Sequence, residues 1–172
     1  MYIQSDEGPG WAGHAVQVLQ NTKTNTASRA SATWGATGLS IAITPRAVTS
    51  DIYISGWINI NPGVGNQTPG VRLYRDSTAI AMGDASGALT QDASGGCCLF
   101  GSFDSNNATM MNCGFSFVDQ PGTTSAITYQ VHFRSEGGSY TTYMNKRHNN
   151  PNADGNDWRT ASNIVVMEIV NP

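Results

Sequence analysis

The side chains best equipped for chemistry gather between residues 146 and 159 of this 172-residue chain. Lys146, Arg147 and His148 form its only basic cluster and lead into the loop His148-Asn-Asn-Pro-Asn-Ala-Asp-Gly-Asn-Asp157, followed by Trp158 and Arg159. Three titratable groups, His148, Asp154 and Asp157, with many amide oxygens, resemble the donor set of a hard cation such as calcium. The spacing does not fit an EF-hand loop, which needs acids at alternate positions and a closing Glu. Asx turns account for the same residues, so no metal is assigned. Lys146, Arg147, His148, Asp154, Asp157 and Trp158 are instead read as a surface-contact loop, with Trp158 as its exposed aromatic.

Enzymatic readings find no support in spacing. Polysaccharide cleavage needs two carboxyl groups about 5 to 10 Å apart across a cleft. The available pairs are Asp76 with Asp84, Asp104 with Asp119, and Asp154 with Asp157. Most occupy turn positions where Asp bonds its own backbone, and nothing selects one pair. Serine catalysis needs an activated nucleophile beside a base, yet there is no Gly-x-Ser-x-Gly elbow and the three histidines are far apart. His132, between Val131 and Phe133, sits on the polar face of a strand pattern and reads as a surface or interface residue. The expectation is a protein that is not an enzyme, with no catalytic residue and no cofactor.

Aromatic residues offer a different chemistry. Trp57 and Tyr53 share one strand face, where they could stack on a sugar ring, although packing in a core or between subunits accounts for most large aromatics. Trp11, beside Pro9 and Gly10, reads as an anchor that inserts into a neighbouring protein.

The elements that must position these residues are strands. The chain holds 19 Gly, 17 Thr, 16 Ser and 15 Asn, all of which lose free energy in a helix interior, so an all-helical fold is excluded. Alternation is found almost everywhere. Leu39, Ile41 and Ile43 alternate with Ser40, Ala42 and Thr44, and Ile52, Ile54, Ile58 and Ile60 oppose Tyr53, Ser55, Trp57 and Asn59. Similar runs lie at Val16 to Thr22, Gly70 to Arg75, Cys97 to Phe103, Met111 to Phe117, Ile127 to Phe133 and Ile164 to Val170, with shorter ones at Ala79 to Met82 and Tyr140 to Met144. Gly-, Pro-, Asn- and Asp-rich turns separate them. The pattern predicts an all-β fold, an antiparallel β-sandwich of jelly-roll type with about 8 to 10 short strands. Residues 15–172 form its single domain, and residues 1–14 an extended N-terminal arm.

Ile164 to Val170 is apolar on both faces apart from Glu168, as expected of a strand covered on both sides. With Tyr53, Trp57, Tyr74 and Val165 also on outward faces, the pattern fits self-association, and equally a monomer whose large loops fold over one sheet. A net charge of −3 gives no attraction to nucleic acid, and no apolar run is long enough for a membrane span. The opening residues resemble no signal peptide, so synthesis in a cytosol and free buried thiols at Cys97, Cys98 and Cys113 are expected.

Four segments carry a family resemblance. Thr37-Gly-Leu-Ser-Ile-Ala-Ile-Thr-Pro45, Arg72-Leu-Tyr-Arg-Asp-Ser-Thr-Ala-Ile-Ala-Met-Gly-Asp84, Asp119-Gln-Pro-Gly-Thr-Thr-Ser-Ala-Ile-Thr-Tyr-Gln-Val131 and Arg159-Thr-Ala-Ser-Asn-Ile-Val-Val-Met-Glu-Ile169 follow in this order. Together they resemble the β-rich modules of tail-fibre and other virion proteins of tailed, especially marine, bacteriophages. The resemblance runs from about Val16 to Val170 and rests on order and combination. It implies a jelly-roll sandwich assembled as a homotrimer, located in the virion after synthesis in the host cytoplasm, whose outer loops meet a host surface glycan or receptor. It implies no catalytic motif and no cofactor. These residues contain no coiled-coil heptads or Gly-X-Y stretch to serve as a shaft. A capsid decoration or head-fibre protein, docked on other virion proteins through its arm and Trp11, therefore competes with a receptor-binding tail-fibre module. A carbohydrate-binding module stands third.

Overall fold

The computed structural model describes residues 13–64, 67–84, 98–99, 109–148 and 159–170, and all their regular structure is β-strand. The strands are β1 (His14–Lys23), β2 (Ala27–Arg29), β3 (Gly35–Ile43), β4 (Asp51–Asn61), β5 (Gly70–Arg75), β6 (Thr78–Ile80), β7 (Cys98–Leu99), β8 (Met111–Asp119), β9 (Ile127–Arg134), β10 (Thr142–Met144) and β11 (Ser162–Val170). Among the described residues no helix is long and apolar enough to cross a membrane.

Two antiparallel sheets face each other. One has six strands: β11 and β10 lie end to end along one side of β4, flanked by β1 and β2, and β8 runs along β4's other side. The five-stranded sheet runs β3, β9, β5, with β6 and β7 sharing β5's far side. Taking each end-to-end pair as one strand leaves eight, numbered along the chain. Their order is 1-8-3-6 in one sheet and 2-7-4-5 in the other, which is the strand order of a jelly roll. The expected all-β antiparallel sandwich is thus observed.

Asn145 explains why the last strand is split. Its φ of 59° places it in the left-handed region, which Asn tolerates better than most residues. From there its buried amide donates to the carbonyls of Lys23 (2.9 Å) and Asn25 (3.1 Å), at the break between β1 and β2. Its side-chain oxygen accepts from Ser162 Oγ at 2.7 Å, and its backbone N–H donates to Asn59 at 3.0 Å. One residue thereby satisfies the backbone where two adjacent strands bend together.

The core follows the predicted alternation. Ile52, Ile54, Ile58 and Ile60 of β4 with Ile164 and Val166 of β11 face Leu39, Ile41 and Ile43 of β3 and Tyr129, Val131 and Phe133 of β9. Each fully buried aliphatic side chain contributes about 1.5 to 3 kcal/mol. Gly56 interrupts the β4 series because a Cβ there would lie 2.2 Å from the Asn163 carbonyl oxygen and 2.9 Å from Phe115 Cζ. Phe115, its register partner, packs against the core from β8.

Several sequence expectations change. Cys113 is disulfide-bonded, not a free thiol. An odd count of three leaves room for one bridge and one remaining thiol, which the argument from number overlooked. The inner face of β11 carries Glu168, fully buried, while Val165, Met167 and Ile169 on the outer face are half-buried within one chain. β2, only three residues long, had no alternation to reveal it. Of the run Cys97 to Phe103, Cys98–Leu99 is strand and the rest lies outside the described residues.

Candidate functional site

The outer face of the six-stranded sheet is read directly from the register. Val18, Met167, Tyr53 and Val118 stand side by side on β1, β11, β4 and β8. The next row is Gln20, Val165, Ser55 and Ser116, and the one after it Thr22, Asn163, Trp57 and Gly114. An apolar row thus crosses the sheet beside two rows of small and polar side chains, with Trp57, 45% exposed, rising at their far side.

Part of these rows lines a shallow, open groove of about 390 Å³. Tyr53 and Trp57 stand two alternations apart on β4, about 13 Å along the strand, and form its ends. Its floor holds Ser55, Ser116, Val165 and Asn163, with Gly56 and Phe115 at the base. Gly114 opens it: a Cβ there would meet nothing closer than the Gly56 carbonyl oxygen at 4.0 Å, so the missing side chain leaves space next to Trp57. None of the lining residues carries a formal charge at neutral pH.

The aromatic end is held in place. Trp57 Nε1 donates to the Ala161 carbonyl at 3.2 Å, and Asn59 Nδ2 donates to the same oxygen at 2.7 Å. Asn163, 1% exposed, donates through Nδ2 to Thr22 Oγ1 at 3.0 Å, but its Oδ1 is buried without a hydrogen-bond partner.

The predicted contact loop begins on this same face. Tyr143 pairs with Asn61 on β4, four residues beyond Trp57. Lys146 Nζ lies 4.8 Å from the Tyr143 ring centre, and the His148 ring meets it edge-on at 5.2 Å. Lys146 bridges to Arg159 through the backbone. Lys146, Arg147 and His148 are half-buried rather than a solvated rim. Asp154, Asp157, Trp158 and Trp11, the expected docking anchor, lie outside the described residues, as do residues 85–96 and most of residues 1–14.

Of the remaining chemical candidates, Asp104 lies outside the described residues, whereas Asp76, Asp119 and His132 have structural partners. Asp76 accepts from the Thr128 N–H at 2.9 Å, and Asp119 takes both its oxygens to Arg75 Nη1 at 2.9 Å. His132 stacks on Tyr74 at 4.1 Å on the outer face of the five-stranded sheet, where Arg72 lies 4.1 Å above Trp34. Burial, then the charges of Arg29 and Arg72, hold His132 below its ordinary value. Among the described residues no group of three or more His, Cys, Asp and Glu could hold a metal ion.

Sequence reasoning placed Trp57 and Tyr53 on one face but missed Gly114, Asn163 and Ser116. Only cross-strand register brings those residues to the aromatics, and no local pattern encodes it.

No family model matches the chain, and no curated protein matches it. Among solved structures, it is similar to that of the infectious bursal disease virus Gx strain, with a TM-score of 0.46 and 13% identity over 99% of this chain and 42% of that one. For the Gt strain the values are 0.40 and 15%, over 99% and 43%. For the VP2 subviral particle of infectious bursal disease virus they are 0.37 and 12%, over 99% and 45%. The chain spans less than half the length of each of these three chains.

Proposed function

We propose that this chain is a non-enzymatic bacteriophage virion structural protein, a homotrimeric tail-fibre or receptor-binding module that presents the outer face of its six-stranded sheet to the host surface. The strand order 1-8-3-6 over 2-7-4-5 carries the reading, because the jelly roll recurs in capsid and lectin domains. The four sequence segments quoted above support it. So does the Cys113 disulfide, since such bonds persist on virion surfaces and are rare in a reducing cytosol.

Trimer formation is supported by the two outer strands of the sheet. Val18 on β1 is 55% exposed and Val118 on β8 is 50% exposed, at opposite edges of one apolar row. Two different edges meeting between neighbours form a heterologous contact, the kind that closes into a ring. Three copies then turn weak individual contacts into firm attachment by raising the effective concentration of the second and third sites.

A second reading, a capsid decoration or head-fibre protein docked through residues 1–14, is favoured by the position of β1. It starts at His14 and forms an edge strand of the sheet.

Two measurements test the proposal. Light scattering on purified protein is expected to give three times the 18.3 kDa chain mass, and a monomer at micromolar concentration would count against assembly. Immunogold labelling of intact particles is expected to mark the tail. Label on the capsid that disappears when residues 1–14 are deleted would favour the second reading, and unlabelled particles would exclude both.

A further inference from the structure

We infer that the Tyr53–Trp57 groove is a binding site for a neutral saccharide, which names the ligand class of the receptor-binding face proposed above and rests on that reading.

Four observations converge. The groove has an aromatic ring at each end, and hydrogen bonding to Ala161 fixes the Trp57 indole before any ligand arrives, which lowers the entropic cost of stacking. Between the rings, Ser55 and Ser116 are direct register partners that both line the groove. Asn163 lines the floor beside Trp57, its amide held by Thr22 Oγ1 at 3.0 Å. Gly114 leaves the floor open where any other residue would fill it.

This is the chemistry a sugar ring requires: an aromatic face for its C–H surface, and paired hydroxyl and amide groups for its own hydroxyls. An apolar side chain from a neighbouring protein would use the rings but would bury the Ser55 and Ser116 hydroxyls without offering them a hydrogen-bond partner. The uncharged lining disfavours acidic sugars, since nothing in the groove neutralises a carboxylate or sulfate.

Saturation-transfer NMR on the intact protein tests this with methyl glycosides of neutral hexoses and N-acetylhexosamines, the corresponding disaccharides, and N-acetylneuraminic acid as the charged comparison. Transfer is expected to at least one neutral sugar and to be stronger than to N-acetylneuraminic acid. Trp57→Ala and Gly114→Leu should each weaken binding by about tenfold or more, the former by removing a stacking surface and the latter by filling the floor. Tyr74→Phe, on the opposite sheet, should leave it unchanged. Gly114→Leu guards against misfolding, because its side chain enters open space, and its melting temperature should stay close to that of the parent.

The inference is overturned if no neutral sugar shows transfer at millimolar concentration, or if binding survives both groove variants. It is also overturned if those variants change the assembled mass while the parent protein takes no sugar, since the groove would then be a contact between copies. A monomer that binds sugar in the groove would sink the trimer and keep this site. A labelled virion trimer that binds none would do the reverse.

Discussion

Glu168 and Asp119 flank Ile52 on a single register row of the six-stranded sheet, so two buried carboxylates stand about 10 Å apart at one end of the sandwich. The protein accommodates them differently. Asp119 receives a cation: Arg75 from the opposite sheet reaches both of its oxygens at 2.9 Å, and Tyr129 OH donates to Oδ2 at 2.7 Å. Glu168 receives neutral donors: Gln17 Nε2, Ser50 Oγ and the Arg46 backbone N–H, each at 2.6 Å. Both clusters tie strands across the sandwich, the first joining β8 to β5 and β9, the second joining β11 to β1 and the loop before β4.

Removing the Asp119 carboxylate takes the shared acceptor from Arg75 and the Tyr129 hydroxyl. Burial and the neighbouring carboxylate already hold that hydroxyl above its ordinary range, so it remains a donor throughout the accessible pH range. Asp119→Ala is expected to cost about 1 to 3 kcal/mol, because it leaves the buried Tyr129 hydroxyl without its acceptor while Arg75, 27% exposed, can turn to water. Arg75→Met should cost more, because it leaves the buried Asp119 carboxylate without its cation. Urea denaturation of the two variants checks the order. Equal small losses would show that the pair contributes little.

Glu168 gives the fold an acid limit. Burial pushes its carboxyl up, but the bonds from Ser50, the Arg46 N–H and Gln17, with the Arg46 charge, outweigh this and hold it below its ordinary 4.5. A carboxyl depressed by folding contributes stability that is complete above its unfolded value and is lost as pH falls through the folded one. Glu168→Gln should therefore cost about 1.5 to 3 kcal/mol at neutral pH, and the gap between parent and variant should close below pH 4.5. Denaturation midpoints across that range decide it, and a constant gap would assign the loss to shape rather than charge.

His132 acts in a separate window. Its protonated form is disfavoured in the folded state by burial and by Arg29 and Arg72, and Arg134 packs on the same Trp34 that Arg72 covers. Its stability contribution is complete above pH 6.5 and falls as the unfolded chain takes up a proton below that value. His132→Phe keeps the stack on Tyr74 and removes the titration. The parent should lose stability between pH 7 and 5 while the variant loses less, which thermal denaturation in matched buffers measures directly.

How far the sequence reached depends on whether a feature is local. Alternation is local, so Ile52 to Ile60, Leu39 to Ile43 and Ile127 to Phe133 declared their inward faces before any register was known. Trp57 and Tyr53 were visible as a pair for the same reason. Gly114 and Asn163 were not, since their meaning comes from standing beside Trp57 on strands about 50 and 100 residues away. Glu168 stood out as the one acid in an apolar strand, but its donors lie in β1 and in the loop before β4. Asn145 gave no signal at all, because a left-handed strand break looks like any other Asn in a turn-rich chain.

The ring model makes a prediction that an ordinary interface does not. If β1 of one copy meets β8 of the next, Val18→Asp and Val118→Asp each spoil one half of every contact, and either variant alone should be monomeric by light scattering. Both side chains are exposed, so neither change should cost much folding stability. Mixing the two variants restores one good contact: the intact β8 edge of the Val18→Asp copy meets the intact β1 edge of the Val118→Asp copy. The remaining edges are both spoiled, so growth stops at two chains. The mixture should therefore shift from the 18.3 kDa monomer towards twice that mass and go no further. A symmetric contact of β1 with β1 predicts otherwise, since Val118→Asp would assemble unaided and mixing would add nothing. Full assembly by both variants alone would remove the two edges from the interface altogether.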